Sequence, residues 1–188
     1  MIDIDLDVDI KQATRQLQRF ERVIIPKAIS RSVNTTMTNT VTAVNRYMAK
    51  ETGLKIKEIK HIQFRIKSTP KTQFAVLISR KRPYNLRRFV SKARLKIGGF
   101  DKNRGVIANP WKKRRLFPGT FIIKGRTHGQ LIVVVRTGRT RSGLRGVYGP
   151  SIHAEIQRPK AQALIKKTVR DRFRFNFARD LAYYTSRL

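Results

Sequence analysis

The sequence contains no cysteine, and it has only 11 aspartates and glutamates against 43 lysines and arginines. The absence of cysteine excludes disulfides and thiolate metal sites. No segment has the ~20 apolar residues that a membrane-spanning helix needs. Residues 1–10 lack the basic start and the unbroken apolar stretch of a signal peptide. We therefore expect a soluble protein that is made in a cytoplasm and does not contact a membrane.

The net charge of +32 is the strongest signal in the composition. A compact chain with that charge repels itself, so the charge indicates a polyanion, an acidic protein surface, or both as partners. The chain has 188 residues, of which 40% are hydrophobic. A chain of that length can bury most of the surface that it exposes when unfolded. We therefore expect a folded core carrying a basic surface.

Residues 2–10 alternate strictly between apolar and acidic side chains. This period of two predicts a strand over residues 1–10 with one apolar face and one acidic face. An Asp-x-Asp-x-Asp spacing also occurs in calcium loops, but the glycine and the final glutamate of such a loop are absent. The acidic face is predicted to contact the basic surface of a neighbouring subunit through Asp3, Asp5, Asp7 and Asp9.

Helical periodicity begins at Lys11 and is interrupted at Pro26, which either kinks the helix or starts a second one. The second helix is predicted to end at Gly53 and to bury a stripe formed by Ile29, Val33, Met37, Val41, Val44 and Met48. Residues 54–61 are predicted to form a short helix. A last helix over residues 160–184 is predicted to bury Ala161, Leu164, Ile165, Val169, Phe173, Phe177, Leu181 and Tyr184.

Four short apolar runs between the helices predict antiparallel strands. They cover residues 63–67, 72–79, 121–124 and 131–136, and the last two form a hairpin across Gly125–Gly129. The predicted fold class is α+β, with an N-terminal strand, long kinked helices, an antiparallel sheet with long basic loops, and a C-terminal helix. The predicted domains are the strand (1–10), one α+β domain (11–155) with basic loops at 80–115 and 136–146, and a helix (156–188) packed on it.

The basic residues are concentrated where acids are almost missing, since Asp101 is the only acid between Ile59 and Ala154. Exposed cations without acidic partners are the electrostatic footprint of nucleic-acid binding. No zinc-finger, basic-zipper or ribonucleoprotein motif accompanies them, so the predicted contact is to phosphates, independent of base sequence. The predicted DNA-binding residues are Arg80, Lys81, Arg82, Arg87, Arg88, Lys112, Lys113, Arg114, Arg115, Arg139, Arg141 and Arg145.

Aromatic residues are interleaved with these cations, and each has two possible roles. They could stack on the bases of a single strand, or they could anchor the basic loops by packing, which is the more common role of an aromatic side chain. The residues concerned are Tyr84, Phe89, Phe100 and Trp111.

Catalysis has little support in the sequence. The acids after residue 100 are scattered, and no pair of carboxylates is spaced for acid–base or two-metal chemistry. The three histidines stand alone, without a nucleophile or a metal-ligand spacing. We therefore predict that the protein is not an enzyme and that it needs no cofactor and no metal.

Two motifs carry a resemblance to a known family. The segment GVIANPWKKRRLFPGTFII (residues 105–123) and the segment VYGPSI (residues 147–152) resemble phage minor tail protein Z. Residues 28–45 and 49–59 also resemble that family's threonine-rich helix and its KETG segment, so the likeness covers roughly residues 26–155. We interpret Pro118, Gly119, Tyr148, Gly149 and Pro150 in these motifs as structural turns.

The resemblance implies a virion protein that completes the head-proximal end of a phage tail and positions the end of the genome. It implies a ring, which we expect to be a hexamer, with tail terminator, tail tube, neck or connector proteins and double-stranded DNA as partners. Assembly is expected in the host cytoplasm. One alternative is a free nucleic-acid-binding protein of ribosomal or chromatin type. A second is a DNA-processing enzyme, which requires the clustered carboxylates that the sequence lacks.

Overall fold

The computed structural model describes residues 14–95, 105–125, 129–138 and 143–187. The acidic segment with Asp3, Asp5, Asp7 and Asp9 lies outside these ranges, as do Arg139 and Arg141. The helices are α1 (Ile25–Thr52), α2 (Ile56–His61), α3 (Ile152–Ile156) and α4 (Pro159–Thr185). The strands are β1 (Gln63–Ile66), β2 (Val76–Ser79), β3 (Val106–Ala108), β4 (Arg115–Phe117), β5 (Thr120–Lys124), β6 (Leu131–Arg136) and β7 (Leu144–Gly146).

These helices and small antiparallel sheets confirm the predicted α+β class. The chain divides into two compact units. The first contains residues 1–43, 64–78 and 163–188, and the second contains residues 44–63 and 79–162. Among the residues that the structure describes, no helix is both long and apolar enough to span a bilayer.

Pro26 neither breaks the first helix nor starts a separate one. Residues 14–19 are helical, Phe20–Ile24 form a π-turn, and α1 follows without interruption. A proline ring clashes with the carbonyl four residues earlier, here that of Arg22. The wider π-turn relieves this clash, and in it the N–H of Ile25 donates to the carbonyl of Phe20, five residues back. Helix α1 ends before Gly53, as predicted.

The buried face of α1 in the first unit differs from the predicted stripe. Residues at a spacing of four are buried there, namely Ile24, Ala28, Ser32, Thr36 and Thr40. The predicted Ile29, Val33 and Met37 are only half-buried, so that part of the prediction is wrong. The small side chains allow α4 to approach closely, and Asn176 of α4 donates to the hydroxyl oxygen of Thr36 at 3.0 Å.

The buried face of α4 is likewise partly polar. Asn176 and Asp180 are 2% and 1% exposed, whereas Val169, which was predicted to be buried, is 41% exposed. Asp180 accepts from the Nε of neighbouring Arg179 at 3.0 Å and pairs with Arg31 of α1 at 3.5 Å. A buried carboxylate needs such partners, because burial without them disfavours its charged form.

The predicted strand pairs are present; β1 and β2 are shorter than predicted, β5 begins one residue earlier, and β6 has the predicted bounds. Strands β1 and β2 form a two-stranded sheet in the stretch between α2 and residue 80. The link between them is fixed to α1 at Ser68, whose N–H donates to Asn34 at 2.8 Å and whose carbonyl accepts from Ser30 at 3.0 Å. In the second unit, β5 and β6 form the predicted hairpin, and β7 adds to β6 to give a three-stranded sheet.

The stretch from Arg80 to Arg115 was predicted to be a long basic loop. Its described parts, residues 80–95 and 105–115, contain the strand β3, the start of β4 and 3₁₀ turns at Leu86–Phe89, Lys92–Arg94 and Pro110–Lys112. Apolar residues between the cations hold this stretch in the core, since Leu86 is fully buried and Phe89 is 6% exposed. The cations of residues 80–95 and 105–115 are therefore carried by segments with regular backbone structure.

The turn between β4 and β5 gives a simple test of the backbone. Gly119 has a φ of +67°, and a Cβ added there meets no atom within 4 Å. We expect Gly119→Ala to destabilise the protein by about 1 kcal/mol through backbone strain alone, which lowers Tm by about 2–4 °C. The control is Gly138→Ala, which has the same open space without a positive φ. Equal thermal melts for the two variants would contradict this geometry.

Candidate nucleic-acid interface

Four consecutive cations lie at the tip of a β-hairpin. Strands β3 and β4 pair antiparallel, with Val106 opposite Phe117 and Ala108 opposite Arg115. The connecting residues 109–114 place Lys112, Lys113 and Arg114 in the turn, and Arg115 begins β4. All four side chains are exposed. We call residues 106–117 the basic hairpin.

The turn of the basic hairpin has an unusual backbone. Trp111 and Lys112 have φ angles of 54° and 56°, in the left-handed region that bulky residues rarely adopt. Each such residue costs about 1–3 kcal/mol unless the surrounding structure holds it in place. Here Pro110 is buried with its φ fixed by its ring, and its carbonyl accepts from the N–H of Lys113 at 3.1 Å.

Glu155 of α3 anchors the strained turn. The indole N–H of Trp111 donates to its Oε1 at 2.8 Å, and Arg158 pairs with the same oxygen at 3.1 Å. Glu155 is only 4% exposed, and these two donors satisfy its Oε1. Trp111 is therefore an anchor in this structure, which is the more common of the two roles considered for the aromatic residues.

The backbone of helix α1 ends against the same turn. Gly53, with a φ of +78°, follows α1, and a Cβ added there lies 3.4 Å from Cγ of Lys112. Its N–H donates to the carbonyl of Ala49 at 3.1 Å, which closes the helix. The end of α1 therefore lies close to the turn that Glu155 anchors.

A concavity of about 380 Å³ beside the basic hairpin is lined mainly by cations. Lys113, Arg115 and Arg158 contribute to its wall, together with Trp111 and the exposed acid Glu51. Among the described residues, none of Lys112, Lys113, Arg114 and Arg115 has an ion pair within 4.0 Å. Exposed cations on a rigid turn suit phosphate oxygens, because little conformational entropy is lost when they bind.

The cations at 80–88 have different surroundings. Arg88 pairs with Glu58 at 2.7 Å, and Arg87 donates to the carbonyl of Leu131 at 3.2 Å. Burial lowers the pKa of Arg87, and the charge of Arg88 adds to that effect. Lys81 and Arg82 are exposed. Arg87 and Arg88 are thus engaged within the protein, whereas the sequence suggested that they are unpaired.

Tyr84 fixes the position of this second cluster. Its hydroxyl donates to the carbonyl of Glu58 at 2.6 Å. Burial raises the pKa of Tyr84, and the charge of Glu58 raises it further, so the hydroxyl remains a donor at neutral pH. A groove of about 520 Å³ runs beside Tyr84, with Arg80, Arg82, Arg87 and Arg88 in its wall.

The remaining predicted residues are placed as follows. Arg145 is exposed on β7, opposite Val135 of β6. Pro118 and Gly119 form the turn between β4 and β5. Tyr148, Gly149 and Pro150 form no turn with a positive φ; their backbone pairs with the segment around Tyr84, whose carbonyl accepts from Gly149 at 2.7 Å. Gly149 is required by close approach, because a Cβ there lies 2.9 Å from the ring of Phe89.

Glu58 and Glu155 are the structurally important residues that the sequence did not identify. Their partners lie 30 and 44 positions away in the chain, so no local spacing shows the link. The only indication in the sequence is that acidic residues are rare, since Glu58 and Glu155 are two of only 11. Within the described ranges, no group of three or more histidines and acids is arranged to hold a metal ion.

The chain matches a known protein family. The family model described as prophage minor tail protein Z (GPZ) matches residues 9–187. No curated protein and no solved structure matches the chain.

The anchor at Glu155 can be tested by comparing two substitutions. We expect Glu155→Leu to destabilise the protein by about 1–3 kcal/mol, because it leaves the indole N–H and Arg158 without their acceptor. Glu155→Gln retains an oxygen acceptor and should cost less. Denaturant unfolding followed by the fluorescence of the single tryptophan reports directly on this turn.

The control is Glu51→Gln, which changes an exposed acid beside the same turn. Equal losses of stability in Glu155→Leu and Glu155→Gln would show that the hydrogen bond to Trp111 contributes nothing.

Proposed function

This chain belongs to the prophage minor tail protein Z family, which are structural phage tail proteins, and we propose that it completes the head-proximal end of the tail and contacts the genome end there. The observation that supports genome contact is the basic hairpin. Its four cations are consecutive and exposed, and the buried Glu155 fixes the turn that carries them.

The proposed contact is to the phosphate backbone and does not read the base sequence. Base readout needs a helix or a strand ribbon that enters a groove with side chains matched to base edges. The basic hairpin instead offers point charges on a short turn, which suits phosphates of any sequence. A tail protein must hold the leading end of any genome and release it on ejection. Phosphate contacts that depend on counterion release allow the DNA both to be held and to move, because no base pair is preferred.

We further propose that several copies assemble into a ring, expected to be a hexamer, around the DNA path. In a closed ring, each copy would contribute one basic hairpin, so that identical cationic turns surround the end of the genome. Its outer surfaces would contact the tail terminator or tail tube on one side and neck or connector proteins on the other. Assembly would take place in the host cytoplasm, before the finished tail is part of the virion.

Neutralising the basic hairpin tests genome contact. We expect a variant with Lys112, Lys113, Arg114 and Arg115 all changed to Gln to bind duplex DNA at least 10-fold more weakly at moderate salt. The slope of log K against log salt should become shallower by about 3–4, since each lost phosphate contact contributes about 0.9. Fluorescence anisotropy with several unrelated duplexes measures both quantities, and the loss should be the same for each sequence.

The matched control changes the same number of charges elsewhere. Lys166, Lys167, Arg170 and Arg174 are exposed cations of α4, and changing them to Gln gives the same net charge. The control variant should keep most of the affinity and of the salt slope. Equal losses in both variants would mean that only the overall charge attracts DNA. A loss that depends on the DNA sequence would mean that the basic hairpin reads bases.

A further inference from the structure

Both faces of the β5–β6–β7 sheet carry apolar side chains. Ile122 and Val133 lie opposite each other on one face and are 1% and 0% exposed. Side chains alternate along a strand, so Ile123, Ile132 and Val134 lie on the other face, where they line the groove beside Tyr84. Val134 is already buried at 2% exposure, whereas Ile123 and Ile132 are only half-buried. A sheet face that only meets water normally carries polar residues, so the half-buried part of this face suits an apolar partner.

The wall of this groove is cationic. Arg80, Arg82, Arg87 and Arg88 line it, and no acid is present among the described residues of its lining. Leu144 of β7 extends the apolar floor and is 38% exposed. An occupant that matches this groove presents aliphatic groups to the floor and negative groups to the rim. The phosphate backbone of DNA supplies only the negative groups, so the groove fits DNA poorly.

We propose that this groove binds the acidic N-terminal segment, residues 2–10, of a second copy of the chain. That segment alternates five aliphatic residues with four aspartates. In an extended conformation it presents one apolar row and one acidic row. The apolar row matches the sheet face, and the aspartates match the arginine rim.

This inference rests on the proposed ring and names the contact that would join neighbouring copies in it. Each copy carries a net charge of +32, so copies repel one another unless acids are placed at their contact. The segment holds four of the 11 acids of the chain. An arm that enters the groove of the next copy makes a head-to-tail contact, and head-to-tail contacts close into rings when the rotation permits.

Two full-length variants with reversed charge test the pairing. The arm variant carries Lys in place of Asp3, Asp5, Asp7 and Asp9. The groove variant carries Arg80→Glu and Arg82→Glu, which leaves the contacts of Arg87 and Arg88 intact. Each variant alone places like charges at the contact, so we expect sedimentation to give the 21.8 kDa of a single chain. The wild-type protein should sediment as an oligomer under the same conditions.

Mixing the two variants distinguishes exchange between copies from docking within one copy. In the mixture, the lysine arm meets the glutamate groove and the aspartate arm meets the arginine groove, so the oligomer should return. A mixture that remains at the mass of a single chain overturns the inference, and so does an oligomer that survives either reversal. A groove variant that loses DNA affinity while keeping its mass also overturns it, because the groove then serves DNA.

The basic hairpin provides the control that separates the two proposals. The variant with four Gln substitutions at residues 112–115 should form the oligomer with unchanged mass and lose only DNA affinity. If the arm and groove variants stay oligomeric while the hairpin variant still loses DNA affinity, the arm inference fails and genome contact stands. If association follows the arm and groove charges but the hairpin variant binds DNA normally, genome contact fails and the arm inference stands.

Discussion

A chain with 43 basic and 11 acidic side chains cannot neutralise its own charge, and this shortage of acid constrains how it is built. Among the described residues, the ion pairs use three carboxylates, those of Glu58, Glu155 and Asp180. Glu58 forms an ion pair with Arg88, and Asp180 forms one with Arg31. Glu155 accepts a hydrogen bond from Trp111 in the turn of the basic hairpin. The exposed cations of the basic hairpin have no ion pair among the described residues, so their charge is available to a partner outside the chain, as the proposed genome contact requires.

The basic hairpin shows how strain and anchoring together produce a binding surface. Two consecutive left-handed residues are costly, and the hydrogen bond between Trp111 and Glu155 offsets that cost. The gain is preorganisation, since the four cations are already presented on a fixed turn when a phosphate arrives. The groove beside Tyr84 combines arginines with an apolar floor, so it suits a partner that is both acidic and apolar, unlike DNA. The basic surface thus separates into a face suited to DNA and a face suited to protein.

Sequence reasoning succeeded where the signal is local. The hairpin of β5 and β6, the last helix and the end of α1 before Gly53 follow from periodicity and from one glycine. It failed where burial depends on a distant partner. Thr36 is buried where Asn176 of α4 donates to its hydroxyl, 140 positions away in the chain, and no pattern within α1 indicates that. The candidate site shows the same limit. The sequence predicted the clusters of cations. It did not predict that Arg87 and Arg88 have partners within the protein or that Glu155 anchors Trp111, because those partners lie tens of positions away.

The central claim is that the cations of the basic hairpin meet the negative charge of the genome inside the particle. Lysine-specific labelling of intact virions, compared with virions emptied of DNA, measures this directly. The account predicts that Lys112 and Lys113 are protected in filled particles and become reactive once the DNA has left, while the exposed Lys166 and Lys167 change little. Equal reactivity of Lys112 and Lys113 in filled and empty particles would contradict it.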